Sequence, residues 1–257
     1  MKEEIFVYFI GTAGSGKSTL TSIFKQWMIN QGLDAVTVNL DPGADNLPYV
    51  PDVDIRDWIS LEDVMDSYNL GPNGAQIACA DMLALNTSDI KESIGSFKTE
   101  YVLMDTPGQL ELFVFREAGK YIVEFLNPER SMIAYLLDPN LAKNASGFVS
   151  QILLALNTSY RLAKPQVNVL SKADMLETAD LNAIIQWSEN PDILEEAILS
   201  EKASIHLEMS RGVLNLIKDF QNQLKVYPTS KEDHQGIADI YTTVQLEFKG
   251  GEDILKD

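Results

Sequence analysis

The 257-residue chain is poor in the residues that staple a fold or hold a soft metal. Cys79 is its single cysteine, which excludes an intrachain disulfide framework and a thiolate zinc site. The two histidines, His206 and His234, lack metal-ligand spacing and read as surface or loop residues. Positive charge is scarce as well: 20 Lys and Arg stand against 38 Asp and Glu, a net charge of −18. Such a surface disfavours nonspecific binding to nucleic acid or anionic lipid, because both select cationic faces. No apolar run approaches the ~18 residues of a membrane-crossing helix. No N-terminal signal-peptide layout, internal repeat or low-complexity tract is visible. The expectation is a soluble, cytoplasmic protein with no membrane partner and no direct nucleic-acid partner.

What is present begins with a strand that runs into a phosphate loop. Ile5-Phe-Val-Tyr-Phe-Ile10 is apolar, β-branched and aromatic, the pattern of a buried parallel strand. Gly11-Thr-Ala13-Gly14-Ser15-Gly16-Lys17-Ser18-Thr19 follows and matches G-x-x-x-x-G-K-[ST] in full. Its glycines let backbone N–H groups turn inward onto phosphates. Lys17 reaches the β/γ-phosphates, and Ser18 offers a hydroxyl to Mg²⁺. Leu20, Ile23, Phe24, Trp27 and Met28 then recur at helical spacing, which puts those phosphates at a helix N-terminus. This is a nucleotide-binding chain.

Further strands are expected at 35–40, 101–104, 132–137, 166–170 and 224–227, mostly separated by helical patterns. That alternation predicts an α/β P-loop NTPase fold in three layers, with a mostly parallel six-stranded sheet. Residues 1–249 read as one domain with two insertions. The first, about 42–99, holds Pro-rich loop sequence and a helix with Trp58, Leu61, Val64, Met65 and Tyr68 on one face. The second, 176–223, is helical, interrupted near Pro191, and ends on a face of Val213, Leu214, Ile217 and Phe220. Residues 250–257 form a polar tail expected to fray.

Four segments complete a nucleotide site. Asp105-Thr-Pro-Gly108-Gln109 ends a buried strand, where a carboxylate holds Mg²⁺ through its water shell. Gly108 lets a backbone N–H approach the γ-phosphate, and Gln109 orients the attacking water. Asp41, before Pro42 and Gly43, projects at the same sheet edge, to polarise water or join the metal's outer shell. Ser171-Lys172-Ala-Asp174 is close to N-K-x-D, in which the Asp accepts both N1–H and the 2-amino group of guanine. Ser171 stands where that pattern has Asn, removing an amide that ties the loop together. Ser230 and Lys231 follow the last strand, where a backbone N–H can meet the guanine O6. Gly71-Pro72-Asn73-Gly74 taken alone is a turn, with Pro72 presetting φ and Asn73 tolerating a left-handed backbone.

Taken in order, the P-loop, Asp41-Pro42, Gly71-Pro72-Asn73, Asp105-x-Pro-Gly108-Gln109 and Ser171-Lys-Ala-Asp174 resemble the GPN-loop GTPases, named for that tripeptide. The likeness spans the chain from the first strand to Lys231. It implies a P-loop core that binds GTP and GDP with Mg²⁺, and a homodimer as in archaeal members. It also implies that Asn73 of one subunit reaches the phosphate site of the other. Eukaryotic relatives are associated with RNA polymerase assembly, which makes a protein client an expectation here. Thr12-Ala13 lacks the extra lysine of the related partitioning ATPases. The residues by themselves leave two other readings open: a P-loop kinase with a small acceptor, and an assembly factor that hydrolyses little.

Overall fold

The computed structural model describes residues 4–201, 207–220, 223–231 and 235–250. His206, His234 and the tail past Gly250 lie outside these, as does the side chain of Leu214. Seven strands form one sheet: β1 (Ile5–Gly11), β2 (Ala35–Asn39), β3 (Val53–Asp54), β4 (Tyr101–Asp105), β5 (Ser131–Leu137), β6 (Gln166–Leu170) and β7 (Val226–Pro228). Their order is β3-β2-β4-β1-β5-β6-β7, and every neighbouring pair is parallel. Twelve α-helices surround it among the described residues: α1 (Lys17–Asn30), α2 (Leu61–Tyr68), α3 (Pro72–Leu85), α4 (Thr87–Gly95), α5 (Leu110–Phe113), α6 (Glu117–Leu126), α7 (Pro139–Ala142), α8 (Ala145–Leu162), α9 (Thr178–Glu189), α10 (Pro191–Ser200), α11 (Leu207–Asp219) and α12 (Gln235–Lys249).

Helices on both faces explain why the strands read as unbroken apolar runs. In β1, Phe6, Tyr8 and Ile10 join a core with Ala75, Cys79 and Leu83 of α3, Ile122 of α6 and Phe148 of α8. Ile5, Val7 and Phe9 point the other way, onto Leu20, Phe24 and Met28 of α1 and Ile237, Ile240 and Val244 of α12. The two-residue period of the strand thus feeds two separate cores.

Because every strand is parallel, the carboxyl ends of all seven lie along one edge. The chain leaves β1 toward β2 on one side, and later enters β5 on the other. Ligands of open α/β sheets settle at such a reversal. Phe9 pairs with Asp105 and Asn39 also pairs with Asp105, so the phosphate loop and the two Asp motifs start level.

The sheet has seven strands where six were expected. The addition, β3, is two residues long and falls inside the 42–99 segment, too short for any periodicity to show. The helical face proposed for 58–68 shrinks too. Ser60 caps α2 by accepting from the Asp63 N–H, so Trp58 precedes the helix, and Tyr68 is exposed. Leu224 is buried but precedes β7, and Pro191 opens α10.

Candidate functional site

The phosphate loop is shaped by close packing. A Cβ at Gly11 would stand 2.7 Å from the Leu136 carbonyl oxygen and 2.7 Å from Ser15 Oγ. Gly14 and Gly16 have φ of 76° and 95°, a left-handed backbone that side chains rarely adopt. Ala13 and Gly14 form the exposed crown, and α1 starts directly at Lys17. Buried Lys17 donates from Nζ to the carbonyls of Gly11 (3.0 Å), Thr12 (3.0 Å) and Gly108 (3.2 Å). Burial lowers its pKa, while the Asp105 and Asp41 carboxylates pull it back up. The one ammonium therefore links the P-loop to the segment after β4.

Asp105 closes β4 at 1% exposure. Its Oδ2 accepts from the Tyr49 hydroxyl at 3.0 Å, whereas Oδ1 is buried with no hydrogen-bond partner. Desolvation pushes this carboxyl up to about 6, against the opposing pull of Ser18, Tyr49 and Lys17. A buried, unpartnered carboxylate oxygen near a serine hydroxyl suits a hard cation. Among the described residues no group of three or more Asp, Glu, His or Cys could hold a metal. Mg²⁺ is usually held by one or two protein oxygens plus waters and phosphate. Ser18 and Asp105 would hold it.

Asp41 works as a clasp. Its Oδ1 accepts from the Gly43 N–H at 2.9 Å and its Oδ2 from the Gly108 N–H at 2.9 Å. The Gly108 N–H, expected to approach the γ-phosphate, here donates to the Asp41 carboxylate. Gln109 is exposed and shares a cavity of about 70 Å³ with Asp41, Gly108 and Gln76 of α3. Gly71-Pro72-Asn73 is not a free turn: Gly71 is the N-cap and Pro72 the first residue of α3. Asn73 is exposed there and lines neither this cavity nor the two described next.

On the other side of the P-loop, Lys172 donates from Nζ to the Gly14 carbonyl at 2.6 Å. Its stem crosses Gly16, with Cε 3.3 Å from where a Cβ would sit. Ser171 proves to be a tie, contrary to the expected loosening. Its buried hydroxyl lies 2.6 Å from the Ser15 carbonyl and 3.0 Å from that of Leu137, one proton serving both. The Ala173 N–H donates to the Thr229 carbonyl at 2.9 Å, joining the β6 and β7 loops. Between them lies a cleft of about 230 Å³ that includes Asp174, Lys172, Ser230 and Lys231. A second cavity of about 520 Å³ runs along Lys17, Ser18, Asp41 and Gly108. The two share Gly16, Thr19 and Lys172, so a base-sized cleft opens into a groove lined by the phosphate loop.

Sequence reading missed Tyr49. It is a lone tyrosine in a Pro-rich loop, 56 positions before the carboxylate that it meets, and no local pattern signals that contact. It also missed Gln76, one turn past Asn73.

A phosphate loop, a buried carboxylate and a base-side loop on one edge of a parallel sheet define a P-loop nucleotide-binding protein. Residues 9–250 match the family described as "Conserved hypothetical ATP binding protein". GPN-loop GTPase 3 of Saccharomyces cerevisiae is 35% identical over 246 residues, covering 93% of this chain and 90% of that protein. Its counterpart from Kluyveromyces lactis is 32% identical over 243 residues, covering 93% and 89%. A GTPase from Pyrococcus abyssi, solved in apo form, superposes with a TM-score of 0.85 at 29% identity, covering 96% and 99%. The chain belongs to the GPN-loop GTPase family. Among the described residues, no helix is long and apolar enough to cross a membrane.

Proposed function

We propose that the protein is a Mg²⁺-dependent GTP hydrolase that works as a nucleotide switch in a homodimer, with a protein client in complex assembly. By family resemblance that client is RNA polymerase under assembly. The observation that carries the catalytic part is the contiguous groove from Asp174 to Gly108, with Lys17 and Ser18 between them and Asp105 buried beneath. Lys17 and the N-terminus of α1 offset charge on the β/γ-phosphates. Mg²⁺, held by Ser18 and Asp105, would supply further charge neutralisation. Asp41 holds Gly108 and its neighbour Gln109 in place, and Gln109 is free to orient water.

Base choice rests on Asp174, since the matched family is described by ATP and the relatives by GTP. Only guanine offers an N1–H and a 2-amino group side by side to one carboxylate. Phosphate release with GTP, ATP and XTP, compared between wild type and Asp174→Asn, tests this. The variant should lose preference for GTP and gain for XTP, because xanthine carries a carbonyl at position 2. Equal use of ATP and GTP by the wild type rejects the assignment.

A kinase reading needs arginines around an acceptor. Arg56 and Arg116 are paired with Asp54 and Asp81, and Arg161 donates to the carbonyls of Val114 and Phe115. None of these supports it.

A further inference from the structure

The loop between β2 and β3 crosses the phosphate groove, with Asn46, Leu47 and Pro48 on its wall. It is pegged at both ends. Arg56, fixed by Asp54, donates from Nη1 to the Ala44 carbonyl at 2.7 Å. Asp52 accepts from the Thr37 N–H at 2.7 Å and hydroxyl at 2.8 Å, and pairs with Lys25 at 2.5 Å. Between these pegs Tyr49 reaches inward to Asp105 Oδ2.

We propose that Tyr49 is the positioning residue of the metal site: its hydroxyl fixes one oxygen of Asp105 so that the other stays directed to Mg²⁺. The inference rests on the Mg²⁺-dependent reading above. A carboxylate's last torsion is broad and roughly two-fold, so an unheld Asp at a strand end presents either oxygen. The Tyr49 donor on Oδ2 removes that freedom. The contrast between the two oxygens, one bonded at 3.0 Å and one buried without a partner, is what such a hold produces. A phenol keeps its proton near neutral pH, so Tyr49 serves Asp105 as a donor. A tyrosine also suits the place physically. It spans from the loop to the sheet edge with a rigid ring and adds no competing charge beside the cation.

The test is the Mg²⁺ dependence of N-methylanthraniloyl-GDP release, titrated with MgCl₂ on full-length protein. Partners that orient a metal ligand are typically worth about ten- to a hundredfold in metal affinity. Tyr49→Phe should therefore raise the Mg²⁺ midpoint about tenfold, while kcat at saturating Mg²⁺ is retained. Thermal melting checks that the variant folds. Arg56→Ala keeps the hydroxyl but frees the Ala44 peg, and it should leave the midpoint in place. An unchanged midpoint in folded Tyr49→Phe overturns the proposal. So does an equal shift in Arg56→Ala, which would assign the effect to a loose loop. Wild-type release that ignores Mg²⁺ overturns the metal reading itself, and that result is separate from the other two.

Discussion

At the scale of single residues, the site concentrates charge where the fold would prefer none. Asp105 is nearly inaccessible, and one of its oxygens has no donor. Desolvation raises its folded-state pKa from 3.8 to about 6. The native state therefore keeps the proton at a pH where the unfolded chain has lost it. The contribution of this group to stability falls as pH rises from about 4 through about 6. Asp105→Asn removes the charge and still offers Tyr49 an acceptor. In EDTA at neutral pH it should melt higher than wild type, by on the order of 1–3 kcal/mol in stability. The same variant should lose Mg²⁺-dependent phosphate release. A lower melting temperature for Asp105→Asn would mean that the fold needs the charge. Lys17 shows the same balance, with burial outweighing the carboxylates beside it. Lys17→Ala deletes one of the opposite charges near Asp105 and the contact to the phosphates. Phosphate release by the folded variant should drop about a hundredfold or more, as when a transition-state donor is removed. Unchanged release would remove Lys17 from the chemistry.

At the scale of elements, the sequence was readable where a segment carries its own periodicity, and opaque where a distant partner decides. The central strands were legible because burial on both faces forces continuous apolar runs. The edge strand β3 was not, being fixed by two ladder positions against β2. Gly71-Pro72-Asn73 was ambiguous for a definite reason. Proline's fixed φ serves position two of a turn and the first residue of a helix equally well. What settles it is Ala75, Cys79 and Leu83, buried at four-residue intervals on the core face of α3. Tyr49 and the Ser171 tie were invisible because each depends on a residue more than fifty positions away. The glycines of the phosphate loop make a sharper element-scale prediction, since Gly11 and Gly14 are constrained by different physics. Gly11→Ala forces a Cβ onto the backbone oxygen of Leu136 in the middle of the sheet. It should cost about 1–3 kcal/mol or more, as overpacked cores do. Gly14→Ala meets nothing within 4 Å and suffers only from its φ of +76°, about 1–2 kcal/mol. Urea unfolding of both variants should rank Gly11→Ala as the less stable. The reverse order would mean that backbone conformation, not space, governs the loop.

At the scale of the whole molecule, the question is whether one chain holds a complete site. Lys17, Ser18, Asp41 and Gly108 converge on one groove, with Gln109 adjoining it, but Asn73 sits exposed at the start of α3, outside all three cavities. Pro72 and the helix behind it fix the Asn73 backbone, so only side-chain freedom is lost if its amide docks elsewhere. A second copy of the chain is the partner that family resemblance implies. Asn73→Ala should then slow hydrolysis while barely changing GTP affinity, because base and P-loop contacts remain. Mixing it with Lys17→Ala makes the reading decisive. Random exchange puts half of the dimers in mixed form, each with one site that has Lys17 and a partner's Asn73. Activity should recover to about a quarter of the wild-type value, from two preparations that are each nearly inert. Subunit exchange is verified by tagging one variant and recovering the other with it. No recovery after verified exchange, or full activity in a wild-type monomer, would place every catalytic group within one chain and leave Asn73 as the second residue of an ordinary helix.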